Sequence, residues 1–155
     1  MIKIRSIMTK DVVTISQNSS IMEAAKLMES KSVSSLVVVD KSKPIAIISE
    51  NDIIKGVVSR KGRVKDVMSK DFTVISPLTK FSEISKTVRE EKIKRFPVVE
   101  NEKLIGLITE TDIIETTRDF TRFHQIVQEV ILAIFGLATA FFLFYFSPIG
   151  ASIFR

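Results

Sequence analysis

Two short motifs combine a hydroxyl residue with an aspartate three positions later, each where an apolar β-rich run gives way to a helical pattern. They are Ser49 with Asp52 and Thr109 with Asp112. An ionised aspartate is purely an acceptor and suits two vicinal hydroxyl donors, while a helix N-terminus offers N–H groups and a positive dipole end to a phosphate. The same pattern is also a plain capping box, which stabilises a helix by about 1 kcal/mol. Taken alone, the motifs are typical of helix starts, and they also allow a site for a ligand with hydroxyl or anionic groups.

The composition leaves few residues for catalysis or metal binding. The 155 residues include no Cys, no Trp and a single histidine, His124. The sequence therefore excludes disulfides and thiol chemistry, and it offers only one histidine for a metal site or a catalytic network. We expect no catalytic residues, no metal and no enzyme activity. The net charge of +5 is diffuse, which argues against nucleic acid as a partner.

The first two-thirds of the chain is an internal repeat with an offset of 60 residues. The run IMTKDVVTIS, which starts at Ile7, aligns without gaps with VMSKDFTVIS, which starts at Val67. From Met8 to Val57, 16 of 50 aligned positions are identical. We expect two copies of one fold unit. Because a unit of about 50 residues buries little core alone, the two copies should pack together.

Both repeats predict the element order β-α-β-β-α, which makes the fold class α+β. Ser20 with Glu23 forms a capping box before the first helix of repeat 1, and the spacing of Phe81, Ile84 and Val88 gives the matching helix of repeat 2 an apolar face. Turn residues separate the last two strands of each repeat, which predicts hairpins. The predicted strands are Val12–Ser16, Leu36–Val39 and Ile45–Ser49 in repeat 1, and the run with Val74 and Ile75, Phe96–Val99 and Leu104–Thr109 in repeat 2.

These motifs resemble CBS (cystathionine-β-synthase-type) domains. The resemblance rests on D-x-x-T-I-S in repeat 1 and on R-F-P-V-V-E and G-L-I-T-E-T-D-I-I in repeat 2, and it covers roughly Ile4 to Thr117. It implies a pseudo-twofold pair of units, often called a Bateman module, with clefts for adenosyl compounds. The implied ligand is an adenine nucleotide (AMP, ADP or ATP) or S-adenosylmethionine, and no cofactor is required.

The resemblance also implies which residues contact the ligand. Asp112 is expected to accept the ribose hydroxyls, and Thr109 to contact ribose or phosphate. The residues expected to contact adenine are Phe96, Pro97, Val98, Val74 and Ile75. The residues expected near phosphate are Lys92, Lys94 and Arg95. The corresponding site in repeat 1 would consist of Ser49, Asp52, Thr14 and Ile15.

Repeat 1 departs from the family pattern. It has serines at positions 34–35 where repeat 2 has basic residues, and Ala46 where the motif of repeat 2 has Gly106. Three outcomes are open for its site: it is empty, it takes an uncharged adenosyl ligand, or it borrows Lys92 and Lys94 from repeat 2. The site of repeat 2 is the favoured one.

The C-terminal part has the composition of a transmembrane helix. Val130–Phe146 is a run of 17 uncharged, mostly apolar residues, and the charge-free sequence continues to Phe154. About 20 helical residues cross the hydrocarbon layer of a bilayer. Because Arg118 and Arg122 precede the run, the positive-inside rule favours a single-pass membrane protein with its CBS domains in the cytoplasm. The alternative is a helix buried in a homodimer or against a partner protein.

The expected domains follow from these features. They are residues 1–58 (first CBS domain), 59–63 (linker), 64–119 (second CBS domain), 120–129 (juxtamembrane helix) and 130–154 (transmembrane helix). The predicted function is a non-catalytic regulatory module that senses an adenosyl ligand between the CBS domains and is tethered to a membrane, as a homodimer with a membrane-protein partner. Two alternatives stay open: a tail-anchored dimerisation or adaptor module without a small ligand, and a regulatory partner of a membrane transporter or channel.

Overall fold

The computed structural model describes residues 2–91 and 93–145, which divide into two units between Ile113 and Ile114. The first unit holds both repeats, and its element order confirms the predicted α+β fold of two related units. The elements are β1 (Thr14–Ser16), α1 (Ile21–Lys31), β2 (Ser35–Asp40), β3 (Lys43–Ser49), α2 (Glu50–Val58), α3 (Phe81–Glu91), β4 (Arg95–Glu100), β5 (Lys103–Thr109) and α4 (Glu110–Tyr145), with short 3-10 turns at Ile4–Ser6 and Val64–Asp66.

Both predicted hairpins are present and are closed by the same kind of turn. Between β2 and β3, Lys41 and Ser42 have positive φ angles of 46° and 73°; between β4 and β5, Asn101 and Glu102 have φ angles of 51° and 62°. Positive φ at both central positions is typical of the type I′ turn, whose twist matches that of antiparallel strands. The two copies therefore share one turn geometry, although none of the four residues is glycine.

Capping hydrogen bonds confirm the predicted helix starts. At α1, Ser20 Oγ accepts from the backbone N–H of Glu23 (3.1 Å), and the Glu23 carboxylate accepts from the backbone N–H of Ser20 (2.7 Å). The bonds from the backbone and then the hydroxyl of Ser20 lower the pKa of Glu23 below its ordinary value. Helix α2 begins with the same reciprocal pattern between Ser49 and Asp52.

The leading strand of repeat 2 is shorter than predicted. In repeat 1, β1 pairs in parallel with β2 over all three of its residues, from Thr14 to Ser16. In repeat 2, Ile75 makes a single bridge to Val98, and the run that includes Val74 is not a strand. The prediction of a full third strand in repeat 2 was wrong, and the sheet formed there by β4 and β5 has two strands.

A proline explains this difference between the two sheets. In repeat 1, the N–H of Val37 in β2 donates to the carbonyl of Val13 at 3.3 Å and extends the parallel pairing. The position corresponding to Val37 in β4 is Pro97, which has no N–H to offer to the carbonyl of Thr73. The ladder in repeat 2 is therefore limited to the bonds made on either side of Ile75.

The hydrophobic core of each repeat includes residues from the short segment that precedes the other repeat in the chain. The buried residues of the first core are Ile15, Ala24, Met28, Leu36, Val38, Ala46, Ile48 and Val64, and those of the second are Ile4, Ile84, Phe96, Val98, Ile108 and Ile113. Val64 follows the linker yet fills the core of repeat 1, with Met68 packed against it. Ile4 precedes repeat 1 yet fills the core of repeat 2, with Met8 beside that core.

Paired backbone hydrogen bonds hold this exchange in place. Thr9 and Leu107 exchange two bonds of 3.0 and 2.9 Å, while Ser69 and Ile47 exchange two bonds of 2.8 and 3.0 Å. The two pairs are related to each other by the 60-residue offset of the repeat. This relation confirms the predicted pseudo-twofold arrangement of the CBS-type pair.

The second unit begins at Ile114 and consists, as far as it is described, of α4 up to Tyr145. By length and composition alone, α4 is apolar enough to cross a membrane: its most hydrophobic window has a mean hydropathy of 2.2, and no part of that window is buried. Residues 146–154 of the predicted span, with the predicted helix end near Ser147, lie outside the described residues.

Candidate functional site

A cavity of about 440 Å³ opens between the two repeats of the first unit, and we call it the inter-repeat cavity. Small-molecule sites usually measure roughly 300–1,000 Å³. Its wall combines the leading segment of repeat 1, the chain just before β2 and β4, and the junction of β5 with α4. The lining residues are Thr9, Asp11, Val12, Val13, Ser32, Val33, Ser34, Ser35, Lys94, Arg95, Leu107, Thr109, Glu110, Thr111 and Asp112.

The predicted pair of Thr109 and Asp112 lies in the wall of this cavity. Asp112 Oδ2 accepts hydrogen bonds from the backbone N–H (2.7 Å) and from the hydroxyl (2.8 Å) of Thr109. The backbone N–H of Asp112 donates in turn to Thr109 Oγ1 at 3.3 Å. The half-buried carboxylate is thus positioned by its own helix start, which places a fixed acceptor at the cavity.

Ser49 and Asp52 repeat this geometry at the start of α2. Asp52 Oδ2 accepts from the backbone N–H (2.9 Å) and the hydroxyl (2.6 Å) of Ser49. Among the described residues, neither member of this pair lines the inter-repeat cavity. Both pairs therefore act as capping boxes, and the pair of repeat 2 is the one that adjoins the cavity.

The first turn of α4 offers fewer backbone donors than a bare helix start. The N–H of Glu110 donates to the carbonyl of Lys94 at 2.9 Å, and the N–H of Asp112 is engaged by Thr109. Two N–H groups that the sequence suggested for phosphate binding therefore have partners within the chain. The helix dipole still favours an anion, but side-chain cations would have to supply most of the binding.

Lys94 and Arg95 supply positive charge in the same wall. Lys94 Nζ lies 3.6 Å from Glu110 Oε2 in an exposed ion pair, with 66% and 42% of the two side chains accessible. Arg95 Nη2 donates to Ser34 Oγ at 3.2 Å and so joins repeat 2 to repeat 1. Each cation at this site already has a partner, one of them acidic.

The apolar residues predicted to hold adenine lie elsewhere. Phe96 and Val98 are fully buried in the second core, and Pro97 is also fully buried. Ile75 packs against that core, while Val74 is 49% exposed. Of the part of the chain that the structure describes, none of these five residues lines the inter-repeat cavity. Because successive side chains of a strand point to opposite faces, the burial of 96–98 means that β4 is covered on both faces.

Two further predicted residues, Ile15 and Thr14, are also apart from the cavity. Ile15 belongs to the first core. Thr14 lines a smaller cavity of about 210 Å³, whose other lining residues are Lys10, Val12, Val39, Ser42 and Leu104. Lys92 lies outside the described residues. Of the predicted set, the structure therefore brings together Thr109, Asp112, Lys94 and Arg95.

Most of the cavity wall was not predicted from the sequence, above all the part that repeat 1 contributes. The missed lining residues are Thr9, Asp11, Val12, Val13, Ser32, Val33, Ser34, Ser35, Leu107, Glu110 and Thr111. Its half-buried apolar members are Val12, Val13, Val33 and Leu107. The sequence does show that Asp11 recurs as Asp71 in the second copy, and the structure leaves Asp11 exposed. Core packing gives no reason for an exposed carboxylate to recur.

Comparisons with known sequences identify relatives over both repeats. The sequence profile of the CBS domain matches residues 4–59 and 64–119. An uncharacterised protein of Methanocaldococcus jannaschii is 34% identical over 115 residues, which cover 74% of this chain and 39% of that protein. The inosine-5'-monophosphate dehydrogenase of the same organism is 35% identical over 115 residues, which cover 73% of this chain and 23% of the enzyme. The chain thus spans well under half the length of either relative.

Solved structures share the fold of the first unit. A CBS domain pair in complex with 5'-methylthioadenosine and S-adenosyl-L-methionine has a TM-score of 0.71 at 25% identity, covering 77% of this chain and 98% of its own. CBSX2 in complex with AMP has a TM-score of 0.69 at 22% identity, and the match covers 78% of this chain and 99% of CBSX2. CBS domain pairs are regulatory modules and are generally non-catalytic. Because the profile matches both repeats and the fold agrees, the chain belongs to the CBS domain family.

Proposed function

We propose that the CBS pair is a non-catalytic sensor that binds an adenosyl ligand in the inter-repeat cavity. The observation that carries this proposal is the position of Asp112, whose carboxylate is fixed by Thr109 in the wall of a cavity to which both repeats contribute. A carboxylate suits the two vicinal hydroxyls of a ribose. The solved CBS pair with 5'-methylthioadenosine and S-adenosyl-L-methionine, 25% identical to this chain, supports the same ligand class.

The other lining residues suit the remaining parts of such a ligand. Adenine would lie against the half-buried apolar surface of Val12, Val13 and Leu107. The tail attached to the ribose would point towards Lys94 and Arg95, where charged and hydroxyl donors meet. This assignment replaces the apolar residues of β4 with side chains of the leading segment as the adenine contact.

Ligand binding would act on the contact between the repeats. The cavity wall comes from both of them, and Arg95 already bonds across to Ser34 at 3.2 Å. A ligand shifts a conformational equilibrium only by its differential affinity for two states. An adenosyl compound that touches both walls favours the arrangement in which they are close, and this preference would be the signal.

We also propose that α4 tethers the CBS pair to a membrane, with the pair on the cytoplasmic side. The support is the length and hydropathy of α4 and the basic residues Arg118 and Arg122 ahead of its apolar part. The cavity residues Glu110 to Asp112 belong to the same helix as the apolar part. Helix α4 is therefore the route by which ligand state would reach a membrane-protein partner.

A second candidate function is a tail-anchored dimerisation or adaptor module without a small ligand. It is favoured by exposed apolar side chains on α2, where Ile54, Val57 and Val58 are 60%, 61% and 79% exposed. Apolar clusters of this kind mark protein–protein contacts. A homodimer or the regulation of a transporter or channel would both use such a surface.

Substitution of Asp112 by asparagine tests the proposed ligand site. The full-length chain in a mild detergent is titrated calorimetrically with AMP, ATP, S-adenosylmethionine and 5'-methylthioadenosine. We expect Asp112→Asn to weaken the binding seen with wild type by at least about tenfold, because a hydrogen bond to a charged group contributes about 1.5–3 kcal/mol.

The matched control is Asp52→Asn, which removes a capping carboxylate of the same geometry that does not line the cavity. We expect this variant to bind as wild type does. Equal weakening in both variants would assign the effect to helix capping. If wild type binds none of the four compounds, the sensor proposal fails and the adaptor function takes its place.

A further inference from the structure

The described side chains that line the inter-repeat cavity carry more acidic than basic groups. The acidic residues are Asp11, Glu110 and Asp112, and the basic ones are Lys94 and Arg95. The basic residues alone suggested a phosphate-binding site in the sequence. The described part of the wall does not match a tail with several negative charges.

Glu110 places a negative charge beside the positive charge of Lys94. Its carboxylate lies 3.6 Å from Lys94 Nζ, and its backbone N–H donates to the Lys94 carbonyl at 2.9 Å, so backbone and side chain both keep the two residues together. A phosphate group that approaches Lys94 therefore meets the Glu110 carboxylate at close range. Like charges repel, so the Glu110 carboxylate would offset part of the attraction that Lys94 alone would give a phosphate.

Arg95 can accommodate an anionic group. Its Nη2 is bonded to Ser34 Oγ at 3.2 Å, and a guanidinium has further N–H donors for a single carboxylate or phosphate. The cavity wall also carries neutral hydroxyls, among them those of Ser32 and Thr111. A hydroxyl can both donate and accept, so it can pair with the hydroxyls of a ribose or with an amino-acid tail.

Repeat 1 contains a matched position for comparison. Glu50 begins α2 as Glu110 begins α4, and its N–H donates to the carbonyl of Ser34 (3.2 Å) as that of Glu110 does to Lys94. Glu50 thus has the same place in its repeat, with serine in place of lysine beside it. Among the described residues of the cavity wall, Glu50 is absent.

We infer that Glu110 is a specificity-determining residue that, with Asp11 and Asp112, restricts the inter-repeat cavity to adenosyl ligands with at most one phosphate. Neutral or cationic compounds, such as adenosyl thioethers and sulfonium ions, are preferred over ADP and ATP. The sulfonium and ammonium groups of S-adenosylmethionine complement the carboxylates, and its own carboxylate complements Arg95. The inference rests on the proposed function, because it requires an adenosyl ligand in this cavity.

Calorimetric titration of the full-length chain in a non-ionic detergent and magnesium-free buffer tests the inference, with 5'-methylthioadenosine, S-adenosylmethionine, AMP, ADP and ATP as probes. For wild type we expect S-adenosylmethionine or 5'-methylthioadenosine to bind at least about tenfold more tightly than ATP, because like-charge contacts discriminate between ligands. We expect Glu110→Gln to raise the affinity for ATP by about threefold or more at low salt, with the neutral 5'-methylthioadenosine unchanged.

Glu50→Gln is the control, because it also removes an acidic residue from the first turn of a helix and so matches any effect on helix stability. We expect it to leave all five affinities as in wild type. The inference is overturned if wild type binds ATP as tightly as the thioether and sulfonium ligands, or if Glu110→Gln and Glu50→Gln change the affinity for ATP equally. Either result leaves the proposed function in place. Failure of all five probes to bind wild type overturns both.

Discussion

Gly106 lies in β5 where the leading segment of repeat 1 crosses it. A Cβ at this position would stand 2.6 Å from Met8 Sδ and 3.1 Å from the carbonyl oxygen of Thr9. The methionine side chain can move, but the Thr9 backbone is tied to Leu107 by two hydrogen bonds. Close packing of the exchanged segment therefore accounts for glycine at position 106.

This geometry predicts that Gly106→Ala destabilises the CBS pair by about 1–3 kcal/mol, the usual cost of overpacking a filled interior. The measurement is the free energy of unfolding of the full-length chain in detergent, taken from urea titration. Gly62→Ala is the control, because no atom lies within 4 Å of the Cβ it would add. We expect the control to stay within about 0.5 kcal/mol of wild type. A Gly106 variant as stable as the control would contradict the packing argument.

At the scale of elements, Pro97 makes the sheet of repeat 2 differ from that of repeat 1. Pro97→Val would supply the missing N–H opposite the carbonyl of Thr73. We expect the new amide to form the bond that Val37 makes to Val13 in repeat 1. Amide hydrogen exchange, read by NMR, should then show protection at position 97 comparable to that of Val37. If the amide at position 97 instead exchanges fast, and the free energy of unfolding falls by about 1–3 kcal/mol because a buried N–H is unpaired, the ladder does not extend.

The elements that the sequence predicts well are those defined by neighbouring residues. The capping box of Ser20 and the two hairpins depend on contacts within a few positions, so their patterns are complete in the local sequence. The exchange of leading segments is different in kind. The apolar character of Ile4 predicts burial, but nothing near it in the chain says that it fills the core of repeat 2. The wall that includes Asp11 and Val12 was missed for this reason.

At the scale of the whole first unit, the twofold relation is approximate, and its exceptions lie at the contact between the hairpins and at the proposed ligand site. Leu104 donates its N–H to the Ser42 carbonyl at 2.9 Å, whereas the related residue, Pro44, has no N–H. The hairpin tips are also joined by an ion pair between Lys43 and Glu102 at 3.2 Å. The basic residues before β4 have serines as counterparts before β2. The proposed adenosyl ligand, which has no internal symmetry, would therefore be matched by one of the two related positions better than by the other.

The proposed tether can be tested on the whole molecule, because charge in the centre of a membrane helix opposes insertion. Leu137 and Phe141 lie in the apolar part of α4 and are 72% and 69% exposed. Each arginine at a helix centre costs about 2.5–3.5 kcal/mol on insertion scales. We expect Leu137→Arg with Phe141→Arg to move the full-length chain from the carbonate-resistant membrane pellet to the soluble fraction. Phe123→Arg with Val127→Arg, ahead of the apolar run on the same helix, should leave it in the pellet. Two outcomes would contradict the tether: extraction of the wild-type chain from the membrane by carbonate, or the same distribution of both double variants between pellet and soluble fraction.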